Sequence, residues 1–234
     1  QQARMYSLAT LMALLGVVTL LRATRERPAL LPLAHFGRGG QGVRDWLWHA
    51  LALAGMLYTL YYAAFIIPAL FIYAAVLGWR VLRRWLVAAA VAALLWLPWV
   101  PGALMQAQRL AQNPDYPAAN LNPIEVVGRI LDALLGVGGT WTLGVLALVG
   151  LALAGVLIAR RWRTDRPLAA RLLLVTLAAA VPILLTGIAA ALMPKFAARY
   201  AIIAMPVLFV AVPADLFAAL WRPQRGLRVV YAVL

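Results

Sequence analysis

Between Trp46 and Trp79 no side chain carries a fixed charge, and this run is about twice as long as one membrane-crossing helix. A water-soluble domain has no place for such a stretch. The rest of the chain follows the same habit, with 65% hydrophobic residues, 12% charged residues and a mean hydropathy of +0.89. The expectation is an integral membrane protein of all-α class, a polytopic bundle of transmembrane helices forming a single domain over residues 1–234.

The 21 lysines and arginines against 7 acids would suggest nucleic acid as a partner in a soluble protein. Here the basic residues stand in short connectors between apolar runs, which reports membrane topology and argues for lipid and against nucleic acid. The absence of cysteine excludes disulfides and thiolate metal sites. The chain begins with Gln1 and its last residues look like a helix just starting, so it reads as an internal piece of a longer protein.

A hydrocarbon core of about 30 Å takes roughly 20 helical residues, and on that scale the apolar runs divide into seven spans and the start of an eighth. Residues 5–21 form the first. The run 46–79 holds the second and third, split near Tyr61 and Tyr62 into a hairpin with almost no loop. The fourth is 85–100, closed by Pro98 and Pro101, and the fifth is 140–159. The sixth is 172–193 and the seventh 196–220, broken by Pro206 and Pro213.

Between the first two spans, Gly37, Gly39, Gly40 and Gly42 predict a flexible aqueous loop that also holds His35. Arg80, Arg83 and Arg84 form a basic connector, and a second runs from Arg160 to Pro167. Residues 102–139 are expected to be an outer loop with an interfacial helix at about 123–135. Asn122 caps that helix, and Val126, Val127, Ile130, Leu131, Leu134 and Leu135 lie opposite Arg129 and Asp132.

With the amino-terminal end outside, sixteen arginines fall on the inner side and only Arg4, Arg109, Arg129, Lys195 and Arg199 on the outer side. Those five are the informative residues. Lys195, Arg199 and Tyr200 stand at the mouth of the seventh span, and Arg4 and Tyr6 at the mouth of the first. A guanidinium fork and an ammonium point charge at the lipid boundary suit a phosphate or pyrophosphate headgroup. Each also suits the simpler role of an interfacial anchor whose charged tip reaches water.

Of the outer acids, Glu125 suits the first turn of its helix and Asp132 suits pairing with Arg129. Asp115 is the one carboxylate left as a catalytic candidate. Asp215, near the inner end of the seventh span, is expected to meet Arg222 or water. His49 reads as a polar contact between helices, since no second histidine or cysteine offers metal geometry.

Three pieces of sequence resemble the family 39 type of membrane glycosyltransferases, which includes protein O-mannosyltransferases and lipid A aminoarabinose transferases. Gln1-Gln2-Ala3-Arg4-Met5-Tyr6-Ser7-Leu8 is similar to the "QEARMYAL" opening of a transmembrane helix in bacterial members. Leu97-Pro98-Trp99-Val100-Pro101 is similar to their "LPWLP" helix end, and residues 194–213 to their "PRYLLPALP" helix.

The resemblance implies the C-type fold, a site on the outer face, a polyprenyl-phosphate-linked sugar as donor and no cofactor. It implies a location in the bacterial inner membrane, and Arg4, Tyr6, Lys195, Arg199 and Tyr200 as holders of the carrier phosphate. The family's catalytic Asp corresponds to a position before Gln1. The chain departs from the family at Gln2, where Glu is common, and at Tyr58-Thr59-Leu60-Tyr61, where relatives read "YTHY". A transporter or flippase for a lipid-linked saccharide would use the same outer cations and is the alternative.

Overall fold

The computed structural model describes residues 2–24, 35–59, 61–111, 141–192, 207 and 211–220. Every described segment is helical apart from short turns, and no strand occurs among the described residues. The helices are α1 (Gln2–Thr24), α2 (His35–Thr59), α3 (Ile67–Leu77), α4 (Trp79–Trp96), α5 (Val100–Ala111), α6 (Trp141–Arg161), α7 (Arg166–Leu192) and α8 (Val212–Leu220). Among the described residues, three stretches are long and apolar enough to cross a membrane: Ser7–Thr24, Trp79–Met105 and Arg166–Ala189.

The side-chain pattern of α1 explains why it does not need a polar face. Leu8, Leu11, Leu15 and Val18 form one exposed stripe at helical spacing, while Ala9, Ala13, Val17 and Leu20 are buried on the other side. The same outward apolar stripe recurs on α2 (Val43, Leu47, Leu51) and on α6 (Val145, Val149, Val156). Lipid is the solvent in which such helices are stable, since apolar surface of this extent facing water drives association. Between helices in lipid, packing and dispersion replace the hydrophobic effect as the source of attraction, so close approach matters most.

Close approach is achieved by setting methionines against glycines. α1 and α2 pack antiparallel and make the most extensive helix pair of the fold. A Cβ added at Gly55 would lie 2.7 Å from Met12 Sδ, and one added at Gly16 would collide with the Met56 methyl. Met56 is fully buried, so its end has little room to yield. α2 also packs on α4, and α3 packs on α4 and α7. The expected hairpin between the second and third spans is therefore not a packed pair. The chain does turn at Tyr61–Ile66, a 3-10 helix, but α3 leaves α2 for α4 and α7.

Three expectations about connectors are corrected. The glycine-rich stretch after His35 is helical, the first three turns of α2, because a glycine penalty of ~1 kcal/mol each is a weak prior against continuation of a long helix. Arg80, Arg83 and Arg84 are not a connector but lie in the first two turns of α4, all exposed. The chain reverses at the single residue Gly78, whose φ of 120° and ψ of 167° are essentially open to glycine alone.

Pro98 and Pro101 also fail to end their helix. Leu97–Trp99 tightens to a 3-10 turn, the Leu97 N–H bonds the Ala93 and Leu94 carbonyls, and the path resumes as α5 through Ala111. Residues 102–111, expected to begin the outer loop, are thus helical. The proposed interfacial helix at 123–135 lies outside the described residues.

Between α6 and α7 the turn is confined to residues 162–165, with Arg160 and Arg161 ending α6 and Arg166 and Pro167 opening α7. Asp165 Oδ1 accepts the Leu168 N–H at 3.2 Å and its carbonyl accepts the Ala169 N–H at 3.0 Å, so it caps α7, with Pro167 in the first turn where a missing donor costs nothing. Pro182 sits inside α7, buried.

Gly16→Leu is expected to destabilise the purified protein in detergent by about 2–3 kcal/mol through overpacking, whereas Gly155→Leu, where an added Cβ meets nothing within 4 Å, should stay within about 0.5 kcal/mol. Gly78→Ala is expected to cost about 1–3 kcal/mol from backbone strain alone, since its Cβ also meets nothing within 4 Å. Denaturant-induced loss of helix in micelles reads all three.

Candidate functional site

The packing registers place several sequence-predicted residues at one end of the bundle. Met12 lies against Gly55, so the start of α1 and the end of α2 point the same way. Arg4 stands eight residues before Met12, about 12 Å of helix, and Tyr58 three residues past Gly55, about 4–5 Å. α2 and α4 run parallel, since Tyr58 near the end of one meets Leu95 near the end of the other.

That meeting is specific. The Tyr58 hydroxyl donates to the Leu95 carbonyl at 2.7 Å, and its ring lies 6.4 Å from that of Trp99. Leu95 is in the turn where α4 passes into its 3-10 segment before Pro98 and the regular ladder is disturbed, so the tyrosine supplies a donor where the backbone pattern changes. Tyr58 belongs to the Tyr58-Thr59-Leu60-Tyr61 piece and Trp99 to the Leu97–Pro101 piece. The end of α2 and the Leu97–Pro101 turn therefore touch, at the end of the bundle where α1 begins with Arg4 and Tyr6.

Arg4 and Tyr6 are in the first two turns of α1, with their backbone alone described. Asp115, Lys195, Arg199 and Tyr200 lie outside the described residues. No group of three or more His, Asp or Glu able to hold a metal ion occurs among the described residues.

A second polar node lies between α1 and α2. Thr19 donates its hydroxyl proton to the Leu15 carbonyl at 2.7 Å, which commits its single proton. Thr19 Oγ1 also lies 3.1 Å from His49 Nδ1, and with the hydroxyl proton on a backbone carbonyl the Nδ1–H tautomer donates to the threonine oxygen. His49 is fully buried with Trp46 edge-on at 5.9 Å, and its Nε2, left as the acceptor, has no partner among the described residues. The expected role of His49 as a polar contact between helices matches this geometry.

Asp215 has a partner on another helix; Arg222, its expected partner, lies outside the described residues. Asp215 pairs with Arg171 of α7: Nε lies 2.8 Å from Oδ1 and 3.0 Å from Oδ2. The Asp215 side chain is 2% exposed and that of Arg171 50%. Asp215 also sits in the first turn of α8, where the helix dipole favours a carboxylate. The pair spans 44 residues, so proximity in sequence does not point to it. The signal that could have found it is depth: an acid inside the end of one span needs a cation at the same depth, and Arg171 stands at the adjoining end of the preceding span.

No protein-family model, curated protein or solved structure matches the chain.

Arg171→Ala leaves Asp215 buried without a partner and is expected to cost about 2–3 kcal/mol, below the ~3–5 of a fully buried pair because Arg171 is half exposed. Adding Asp215→Leu should recover most of that loss in the same unfolding measurement. Thr19→Val, which strands the His49 N–H, is expected to cost about 1–2 kcal/mol, and His49→Leu in that background to restore part of it.

Proposed function

We propose that this chain is the membrane body of a glycosyltransferase that moves a sugar from a polyprenyl-phosphate carrier to an acceptor at the outer face of a bacterial inner membrane. The observation that carries this reading is the contact of Tyr58 with Leu95 and Trp99, which brings the resembling Leu97–Pro101 stretch to the end where α1, itself opened by the resembling residues 1–8, begins with Arg4 and Tyr6. Seven spans with the amino-terminal end outside complete the reading. It is supported by the antiparallel α1–α2 and α6–α7 pairs and by the arginines gathered at the α6–α7 turn.

In this reading the acceptor hydroxyl attacks the anomeric carbon of the donor sugar, and the bond from that carbon to the phosphate oxygen breaks. The electron pair leaves on the carrier phosphate, and the hydroxyl proton passes to a carboxylate base. Arg4, Lys195 and Arg199 hold the phosphate and stabilise the charge that grows on it, with Tyr6 and Tyr200 orienting it, as fixed donors do in a site of low dielectric. Asp115 is the candidate for the base within this chain.

The test is transfer of radiolabelled sugar from a polyprenyl phosphate donor by the whole protein in liposomes. Arg199→Ala is expected to lower the rate by about 10²-fold. Undiminished transfer by that variant removes Arg199 from the phosphate site. Movement of the intact donor across the bilayer without sugar transfer establishes the flippase instead.

A further inference from the structure

The ion pair between α7 and α8 is built differently from a closed arginine–carboxylate pair. Both oxygens of Asp215 lie within 3.0 Å of Arg171 Nε, so the carboxylate is gathered on the one N–H nearest the helix. Among the described residues Asp215 is the one partner of this guanidinium, whose side chain is half exposed. Asp215, by contrast, is buried at 2%. The carboxylate thus anchors the guanidinium through Nε while half of the arginine side chain stays exposed, and a guanidinium carries four further N–H donors on its two Nη nitrogens.

A planar fork of that kind matches two oxygens of a phosphate, and holding it in advance lowers the ordering cost of binding. Its surroundings carry the right sign. Arg160, Arg161, Arg163 and Arg166 stand in the same hairpin end just before Arg171, and the acids there are Asp165, committed to capping α7, and Asp215 itself. Five arginines against two acids leave a net positive field at this end. Leu168 and Leu172 flank Arg171 on α7, the first part-buried and the second buried, so the fork emerges at an apolar margin and not from a polar loop.

We infer that Arg171, held through Nε by Asp215, is a phosphate-binding residue at the basic end of the α6–α7 hairpin, taking a phosphate monoester or diester. This site draws on none of the residues of the carrier site proposed above. The phosphate is that of an anionic lipid headgroup in the adjoining leaflet or of a soluble phosphate ester. Asp215 is a positioning residue: it sets the plane of the fork and does not touch the ligand.

The experiment measures the unfolding midpoint of the whole protein in phosphatidylcholine nanodiscs, with and without phosphatidylglycerol, and separately with added glycerol phosphate. For the native sequence, phosphatidylglycerol or glycerol phosphate is expected to raise the midpoint by about 4 °C. Whichever does so identifies the source of the phosphate. Arg171→Lys keeps the charge and loses the fork, and should lose most of that increment whatever its own baseline. Asp215→Asn keeps the shape and weakens the hold, and should reduce the increment while Arg171 remains. If Asp215→Asn does not fold, Arg171→Lys alone decides. An increment equal in the native protein and Arg171→Lys overturns the assignment, as does the absence of any shift with both ligands.

Discussion

In hydrocarbon there is no water to take up a stray backbone N–H or C=O, and the arrangement of this chain follows from that constraint. Helices satisfy it over most of their length, so the points of interest are the places where the ladder is interrupted. At Gly78 the chain reverses with a bond from the glycine N–H to the Ala75 carbonyl. Before Pro98 the Leu97 N–H is shared between two carbonyls, and a tyrosine from another helix reaches the next one. At Asp165 a carboxylate caps the helix that follows. Each interruption has a substitute partner, and one of them, the Tyr58 hydroxyl, also joins separate stretches of chain.

Lipid removes the hydrophobic driving force between helices, and the fold compensates with contact at short range. Methionine against glycine brings α1 and α2 close enough for Thr19 and His49 to meet across the interface. Close packing and polar pairing therefore act together in this pair. The Arg171–Asp215 contact is the counterpart between α7 and α8, where a charge takes the place of the small residue. One pair of helices is thus set by shape and a neutral hydrogen bond, the other by electrostatics at the edge of the apolar region.

Placement of charge has a cost that helix physics alone would not accept. Arg80, Arg83 and Arg84 occupy the first turns of α4, the positive end of the helix dipole, where acids are the favourable choice. Charge sorting at a membrane boundary, which gathers arginines on one side whichever end of a helix falls there, is the general rule that accounts for such a placement. Trp79, 69% exposed beside them, fits the same boundary.

Composition and the lengths of apolar runs were enough to establish helices as the building elements, lipid as their surroundings and the approximate limits of α1, α6 and α7, because these depend on local hydrophobicity summed over a turn or more. The role of His49 was legible too, since a lone histidine on an apolar run has few uses other than a contact between helices. Helix ends were not, at Gly42, Pro98 or Arg80, because glycine, proline and arginine set only local preferences of about a kilocalorie or a few, which the continuation of a long helix overrides. The partner of Asp215, the departure of α3 from α2 and the meeting of Tyr58 with Trp99 depend on residues dozens of positions apart. Such pairings are decided when helices dock, by which faces fit and which polar groups would otherwise be stranded, and no periodicity within a single segment encodes them.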